Sequence, residues 1–393
     1  MEENEKKGIN IPRLVFAVVL LVFSLFYLKN TFPDLTFPVI NNYSNPPEQA
    51  SLNGSPFKYY YEDLSNIEKW AYNMILDSIY DMPEKILVPD LNEDELDHVF
   101  FALLSDNPDL FFIGRKCSVT AELWNDFFSV DYIVDKSEYT DMKDEFDSAC
   151  RDVLAVITKP DDSWQTELEI HDYIVDHTTY KLENNKHIYS SSYGCLVNGS
   201  AGCEGYSKAM KQLLDMTGIQ SYVVTGNAKN ESRELSSHMW NCVCINEEWY
   251  HLDCTWDDPV SSDGRHYKMY NYFNLSDSEI SSDHFDYVTK TDCSSSAANY
   301  YIKKGLIFDS YSRADEQSLK EVIAAEYNAG HKKITIKFAT KKAFDNAHKD
   351  LIENKRLGNV LLSIKRGGNI TLADKADGYI ENEDQRTLTL LFK

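Results

Sequence analysis

The chain has 393 residues, 63 acidic against 39 basic side chains, a formal charge of −24 and 43% apolar residues. At ~150 residues per domain the length suggests two or three domains, and the apolar fraction excludes wholesale disorder and collagen-like architecture. The acidity argues against nucleic acid as a partner, because phosphate binding needs clustered Lys and Arg. Eight cysteines are too few for a disulfide scaffold.

The first feature in chain order is the run LVFAVVLLVFSLFYL at residues 14–28, in which only Ser24 and the Tyr27 hydroxyl are polar. Its fifteen residues fall short of the ~20 that span a bilayer core. Arg13 and Lys29 can snorkel, however, and no small-residue cleavage site follows, so an uncleaved signal anchor is expected. Lys6, Lys7 and Arg13 precede the run. The positive-inside rule then makes residues 1–13 a cytosolic tail and places the rest of the chain outside, as a single-pass cell-membrane protein with an extracellular body. Residues 29–56, rich in Asn, Pro, Ser and Gly, read as a linker.

Residues 57–160 read as an N-terminal helix-rich domain. Ser65 opens a helix in which Ile67, Trp70, Ala71, Met74, Ile75 and Ile79 recur at helical spacing. A second helix is expected over Glu93–Leu104, β-like stretches near Leu110–Gly114 and Phe127–Val134, and an acidic helix over Lys136–Ile157. None of this carries a catalytic constellation. Segment 161–299 opens with a helix from Ser163 to about Thr178 and holds the informative block. Residues 300–393 read as a small α/β module: a helix over Ser318–Asn328 with Gly330 as C-cap, a strand over Ile334–Phe338, a helix over Lys342–Lys355 and a closing hairpin over Tyr379–Phe392. Lys332, Lys333, Lys341 and Lys342 read as solvated positions.

The chemistry concentrates in three places. Gly199 to Gly218 reads as a loop followed by a helix, which puts Cys203 at a helix N-terminus, where unpaired N–H groups and the helix dipole favour an anion such as a thiolate. His238 opens the stretch HMWNCVCI, which EWYHLDCTW answers from Glu248. Asn246-Glu247 reads as the turn of an antiparallel hairpin. With a two-residue loop Ile245 pairs with Glu248, Asp253 faces Trp240, and His238 lies diagonally from Asp253 on the same face, ~7–8 Å away at Cα. Asp253 can then orient an imidazole whose other nitrogen addresses the thiol.

Gly202-Cys-Glu-Gly-Tyr-Ser-Lys-Ala209, Gly218-Ile219, Val223-Val-Thr-Gly226, His238-Met-Trp-Asn241, Trp249 to Pro259, and Tyr272 to Ser276 together resemble the transglutaminase-like superfamily, in particular its bacterial cell-surface branch. The resemblance covers roughly His171–His284. It implies an α+β, papain-like core in which a Cys-bearing helix packs on an antiparallel sheet. It further implies Cys203 as nucleophile, His238 as base and acid, and Asp253 as the group orienting the histidine. The implied reaction is amide acyl transfer through a thioester, giving hydrolysis, deamidation or cross-linking, with a protein or peptide substrate, cell-wall peptide included. The alternative is a catalytically silent surface module that binds peptide or polymer in the same cleft. The Cys203 N–H is one oxyanion donor by position; Asn198 and Tyr193 both remain open as the second, and Trp240 as a wall of the site. No cofactor and no metal are expected. Cys242, Cys244, His251 and Cys254 can be written as a zinc set, but the hairpin turns Cys254 to the opposite face from the other three. Asp257 and Asp258, followed by Pro259, read as turn and loop-capping residues. Disulfide connectivity among Cys117, Cys150, Cys195 and Cys293 is not deducible.

Overall fold

The computed structural model describes residues 56–122, 125–159, 161–183, 187–229, 234–259, 267–365 and 371–393, which fall into two units. The smaller comprises Leu64–Val99 and Cys117–Ser129. Its helix α1 (Asn66–Ile79) starts at a capping box: Ser65 Oγ accepts from the Glu68 N–H, and the Glu68 carboxylate accepts from the Ser65 N–H at 2.6 Å. Two first-turn donors that the helix itself cannot satisfy are thereby paired. Ala71, Ile75, Leu76 and Ile79 form its buried face. Strand β1 (Ile86–Val88) is followed by α2 (Glu93–Asp106), β2 (Ile113–Glu122) and β3 (Asn125–Tyr132). β3 is the middle strand of three and runs antiparallel to β1, with Ile86 opposite Phe128.

The larger unit comprises Phe100–Lys116 and Val130–Lys393 together with the residues just before Leu64. Helices α3 (Lys136–Ala155), α4 (Ser163–His177), α5 (Ser192–Leu196) and α6 (Cys203–Thr217) precede a sheet of β4 (Ser221–Lys229), β5 (Leu235–Ile245), β6 (Glu248–Leu252) and β7 (His284–Phe285). The strand order is β6-β5-β4-β7 and every neighbouring pair is antiparallel. Ile245 lies opposite Glu248, the register expected from a two-residue loop. Asn246 at φ 53° and Glu247 at φ 68° are both left-handed, the backbone of the turn whose twist matches a tight hairpin. Helix α6 buries Tyr206, Ala209, Met210, Leu213 and Leu214 completely. It stops at Gly218, whose φ of 78° suits a residue without Cβ.

The C-terminal part of this unit contains β8 (Ile307–Phe308), α7 (Glu316–Asn328), β9 (Lys333–Phe338), α8 (Lys341–His348), α9 (Leu357–Ser363), β10 (Ala376–Asn382) and β11 (Thr387–Phe392). Its sheet runs β8-β9-β11-β10, with β8 and β9 parallel. One apolar cluster joins Leu319, Ile323, Ile334, Ile336, Phe338, Phe344, Leu388 and Leu390. The single helix expected over Lys342–Lys355 ends at His348 and widens into a π-type turn over Lys349–Glu353. Lys332, Lys341 and Lys342 are exposed as expected. Lys333 is not fully solvated, and burial pushes its pKa down to about 8. The turn between β10 and β11 meets the segment leading into β7: Asn382 Nδ2 donates to Tyr272 Oη at 3.3 Å, and Gln385 Nε2 donates to Asp283 Oδ2 at 3.3 Å.

The expected signal anchor requires a correction. No helix among the described residues is long and apolar enough to cross a membrane, and residues 14–28 lie outside the described residues. Fifteen residues in helical form reach only ~22 Å against a ~30 Å hydrocarbon core. The membrane location, the transmembrane helix and the extracellular placement of the body are therefore withdrawn.

Candidate active site

Cys203 is the first residue of α6 and is partly exposed. The chain enters the helix along a short parallel bridge, Thr179 with Ser200 and Tyr180 with Ala201, and the Gly202 N–H donates to Tyr189 O at 2.8 Å. The first helical turn is thus pressed against the 188–191 segment. A Cβ on Gly205 would lie 2.9 Å from both the Ser191 and Tyr189 carbonyl oxygens and 2.7 Å from Ala201 Cβ, all held by backbone. Gly205→Ala is therefore expected to destabilise the protein by ~1–3 kcal/mol. Gly358→Ala, in α9 with open space around it, is expected to be neutral or slightly stabilising. Thermal unfolding of the two variants side by side checks this, and equal melting temperatures would refute the close-approach argument.

Two side chains tie α6 to the strand that carries the histidine. Ser207 Oγ donates to Met239 O at 2.9 Å, and Asn241 Nδ2 donates to Ser207 O at 3.0 Å. They fix the height of Cys203 against β5, where His238 lies opposite Gly226. A Cβ at Gly226 would come within 2.9 Å of Trp240 Cη2 and 2.8 Å of Phe285 O, so glycine keeps the floor beside the histidine clear. His238 is 7% exposed, and its Nε2 meets Asp253 Oδ2 at 2.6 Å. Burial works to lower the His238 pKa. The Asp253 charge and hydrogen bond, and the Cys203 thiol, outweigh it and push the value up to about 10.

Asp253 sits one residue beyond the end of β6 and is itself buried. Its Oδ1 accepts from the Thr255 and Trp256 N–H groups at 2.9 and 3.2 Å, which leaves Oδ2 for the imidazole. Burial alone would raise this carboxyl, but the charge of His238 holds it well below the usual carboxylate range. A second, fully buried histidine shares the same oxygen: His284 Nε2 lies 3.2 Å from Asp253 Oδ2, and His284 Nδ1 lies 2.6 Å from Asp283 Oδ1. Tyr272 Oη donates to Asp283 Oδ2 at 2.8 Å. The carboxylate is thus braced from the β10–β11 turn through Gln385, Asp283 and His284. Nothing in the sequence pattern around His284 pointed to this, because the brace runs through a segment without helical or strand periodicity.

Trp240 is fully buried, and its ring lies nearly parallel to His238 with centroids 6.0 Å apart. The two residues left open as oxyanion donors have these partners. Tyr193 gives its hydroxyl to Glu145 at 2.5 Å, and Asn198 is exposed, with its N–H on Tyr193 O. Tyr180, which sequence reasoning passed over, is half-buried and feels both Cys203 and Asp253 electrostatically, its own pKa pushed up to about 12 chiefly by burial. Asp257 and Asp258 hold structure: Asp257 Oδ2 lies 3.2 Å from His171 Nε2, and Asp258 Oδ2 accepts from Tyr206 Oη at 2.5 Å. Cys242 and His251 face each other across the hairpin, but they meet Cys293 rather than Cys244 or Cys254. Two trios of ligand-type atoms cluster within 4.8 Å among the described residues, His238 with Asp253 and His284, and Cys242 with His251 and Cys293. In the first, the imidazole N–H groups donate to the Asp253 carboxylate; in the second, His251 Nδ1 accepts from the Trp240 indole N–H.

A helix that begins with a cysteine, laid on an antiparallel sheet that carries a carboxylate-bound histidine, defines a papain-like α+β core of the transglutaminase-like kind. Residues 151–254 match the family model of the transglutaminase-like superfamily, a span that contains Cys203, His238 and Asp253. Among solved structures, the chain is similar to a crystal structure of a TGase at 17% identity, covering 42% of this chain and 48% of that one, with a TM-score of 0.26. It is also similar to a candidate cysteine protease from Cytophaga hutchinsonii at 11% identity, covering 36% and 62%, with a TM-score of 0.23. A third similar structure, a candidate protease from Parabacteroides distasonis, is 6% identical and covers 39% and 40%, with a TM-score of 0.22. Each match spans less than two thirds of the solved chain. No curated protein matches significantly. The family match supports an enzyme of this superfamily.

Proposed function

We propose that the chain is a thiol acyl-transfer enzyme acting on protein or peptide amides, with segment 161–299 as its catalytic core. The observation that carries this reading is the His238 ring, held at Nε2 by Asp253 and interacting with the Cys203 thiol at the mouth of α6. In the proposed cycle the Cys203 sulfur, as thiolate, attacks an amide carbonyl. The first-turn N–H groups of α6 receive the developing oxyanion. His238 then passes its proton to the leaving amine, and a thioester to Cys203 remains. Water activated by His238 completes hydrolysis, and a primary amine in its place completes a transfer. Asp253 stays ionised throughout and stabilises the imidazolium, consistent with its depressed pKa.

The test is incubation with a glutamine-containing peptide library and a primary amine, read by mass spectrometry. Amine adducts, deamidated glutamine or cleaved backbones that disappear in Cys203→Ala are the expected result, and their ratio assigns the acceptor. A complete lack of Cys203-dependent products across the library would refute the enzymatic reading.

A further inference from the structure

Behind the candidate active site, the buried pair Cys242 and Cys293 has no part in the proposed cycle. Cys242 lies in the middle of β5, and Cys293 lies on the long segment after β7; both are fully buried with their sulfurs 3.9 Å apart. The Cys293 loop is anchored by its backbone, since its N–H donates to Asp277 Oδ2 at 2.9 Å and its carbonyl accepts from the Asp277 N–H at 2.7 Å. His251 completes the group. Its Nδ1 is 3.4 Å from the Cys242 sulfur, and its Nε2 is 2.9 Å from Asp277 Oδ1.

We infer that Cys242 and Cys293 are a disulfide-forming pair, closed by exchange with a small-molecule disulfide. The sulfurs are in van der Waals contact, ~1.9 Å short of the ~2.05 Å bonded separation, a distance that rotation about Cα–Cβ on the loop side can close. A metal fits the trio less well. The Trp240 indole N–H donates to His251 Nδ1 at 3.0 Å, so the lone pair that would bind an ion is occupied. The electrostatics assign the order of events. The hydrogen bond from Cys242, together with His251, pulls the Cys293 pKa down against its burial, whereas burial drives Cys242 upward. Cys117, Cys150, Cys195, Cys244 and Cys254 are also pushed upward by burial. Cys293 is therefore the attacking thiolate. It displaces one thiolate from the reagent and forms a mixed disulfide. The Cys242 sulfur, giving up its proton, displaces the second, so that two protein thiols and one reagent disulfide become one protein disulfide and two reagent thiols. Entry is from the loop side, because Asp292 and Ser294, the neighbours of Cys293, are exposed. The bond would staple the 291–296 loop to the strand that presents His238 and Trp240.

The experiment uses the whole protein and oxidised glutathione, followed by N-ethylmaleimide and non-reducing peptide mapping. The expected product is one linked peptide joining positions 242 and 293, lighter than its two parts by two hydrogens, together with a melting temperature several degrees higher that reverts on reduction. Cys293→Ser is expected to lose both the link and the reductant-sensitive shift, and Cys203→Ala to keep both. Maleimide on both Cys242 and Cys293 after oxidation, a glutathione adduct persisting on Cys293, or stoichiometric zinc protecting both thiols would each overturn the inference. None of these readouts depends on amide turnover, so failure here and failure of the acyl-transfer reading are separable.

Discussion

Cys203→Ala is expected to reduce amide turnover at least ~10⁴-fold while leaving circular dichroism and the unfolding temperature near wild type. The size of the loss follows from covalent catalysis. Without the sulfur no thioester forms, and the α6 N-terminus and His238 retain only the binding and electrostatic part of the rate. The stability expectation follows from position. Cys203 is partly exposed and caps no core, and the helix behind it is held by Ser207, Asn241 and a fully buried apolar face that the substitution does not touch. Alanine is also a strong helix former, so the first turn is not weakened. Steady-state kinetics on the best substrate from the peptide screen, with unfolding curves on the same samples, check both halves. Turnover within tenfold of wild type would show that another group does the chemistry; a collapsed melting temperature would show that the thiol is structural.

Much of the arrangement around Cys203 and His238 was legible because it depends on local rules. A glycine-flanked cysteine ahead of an amphipathic run locates a helix start, and a two-residue turn between alternating stretches fixes which residues share a face. Both rules place their residues where the structure has them, with α6 starting at Cys203 and Ile245 opposite Glu248. The register mattered most, since a slip of one residue would have turned His238 away from Asp253. The rules failed where contacts are long-range and the chain is irregular. His284 reaches Asp253 from a segment with no period to read, and Cys293 joins Cys242 across 51 positions of sequence. Tyr193, left open as an oxyanion donor because no spacing rule selects it, gives its hydroxyl to Glu145 on α3, a long-range pairing that the sequence does not reveal. The anchor expectation rested on a run that lies outside the described residues, among which no helix is long and apolar enough to cross a membrane.

Asp253→Asn separates orientation from mere shape. The amide is nearly isosteric, and its oxygen can still accept from the Thr255 and Trp256 N–H groups, so the chain path beyond β6 should survive. Its nitrogen then takes the place of Oδ2 and points donor hydrogens at the His238 and His284 Nε2 atoms, 2.6 and 3.2 Å away in the wild type. His238 must turn its lone pair to that amide and carry its proton on Nδ1, facing the sulfur with a donor where a base is needed. A loss of ~10³–10⁴ in kcat is expected, with KM little changed. The same substitution removes the charge that does most to hold the His238 pKa at about 10, leaving only the Cys203 thiol to oppose burial. The raised His238 pKa gives stability that is complete below the ~6.5 of an unfolded histidine and lost as pH climbs through about 10. The depressed Asp253 carboxyl gives stability that is present above ~3.9 and lost as pH falls toward its folded value. The gap in melting temperature between wild type and Asp253→Asn should therefore be widest near pH 5–6.5 and narrow steadily toward pH 10. A gap that stays constant over that range would mean that Asp253 braces the fold without sensing the charge on His238, and its proposed orienting role would then have to pass to another group.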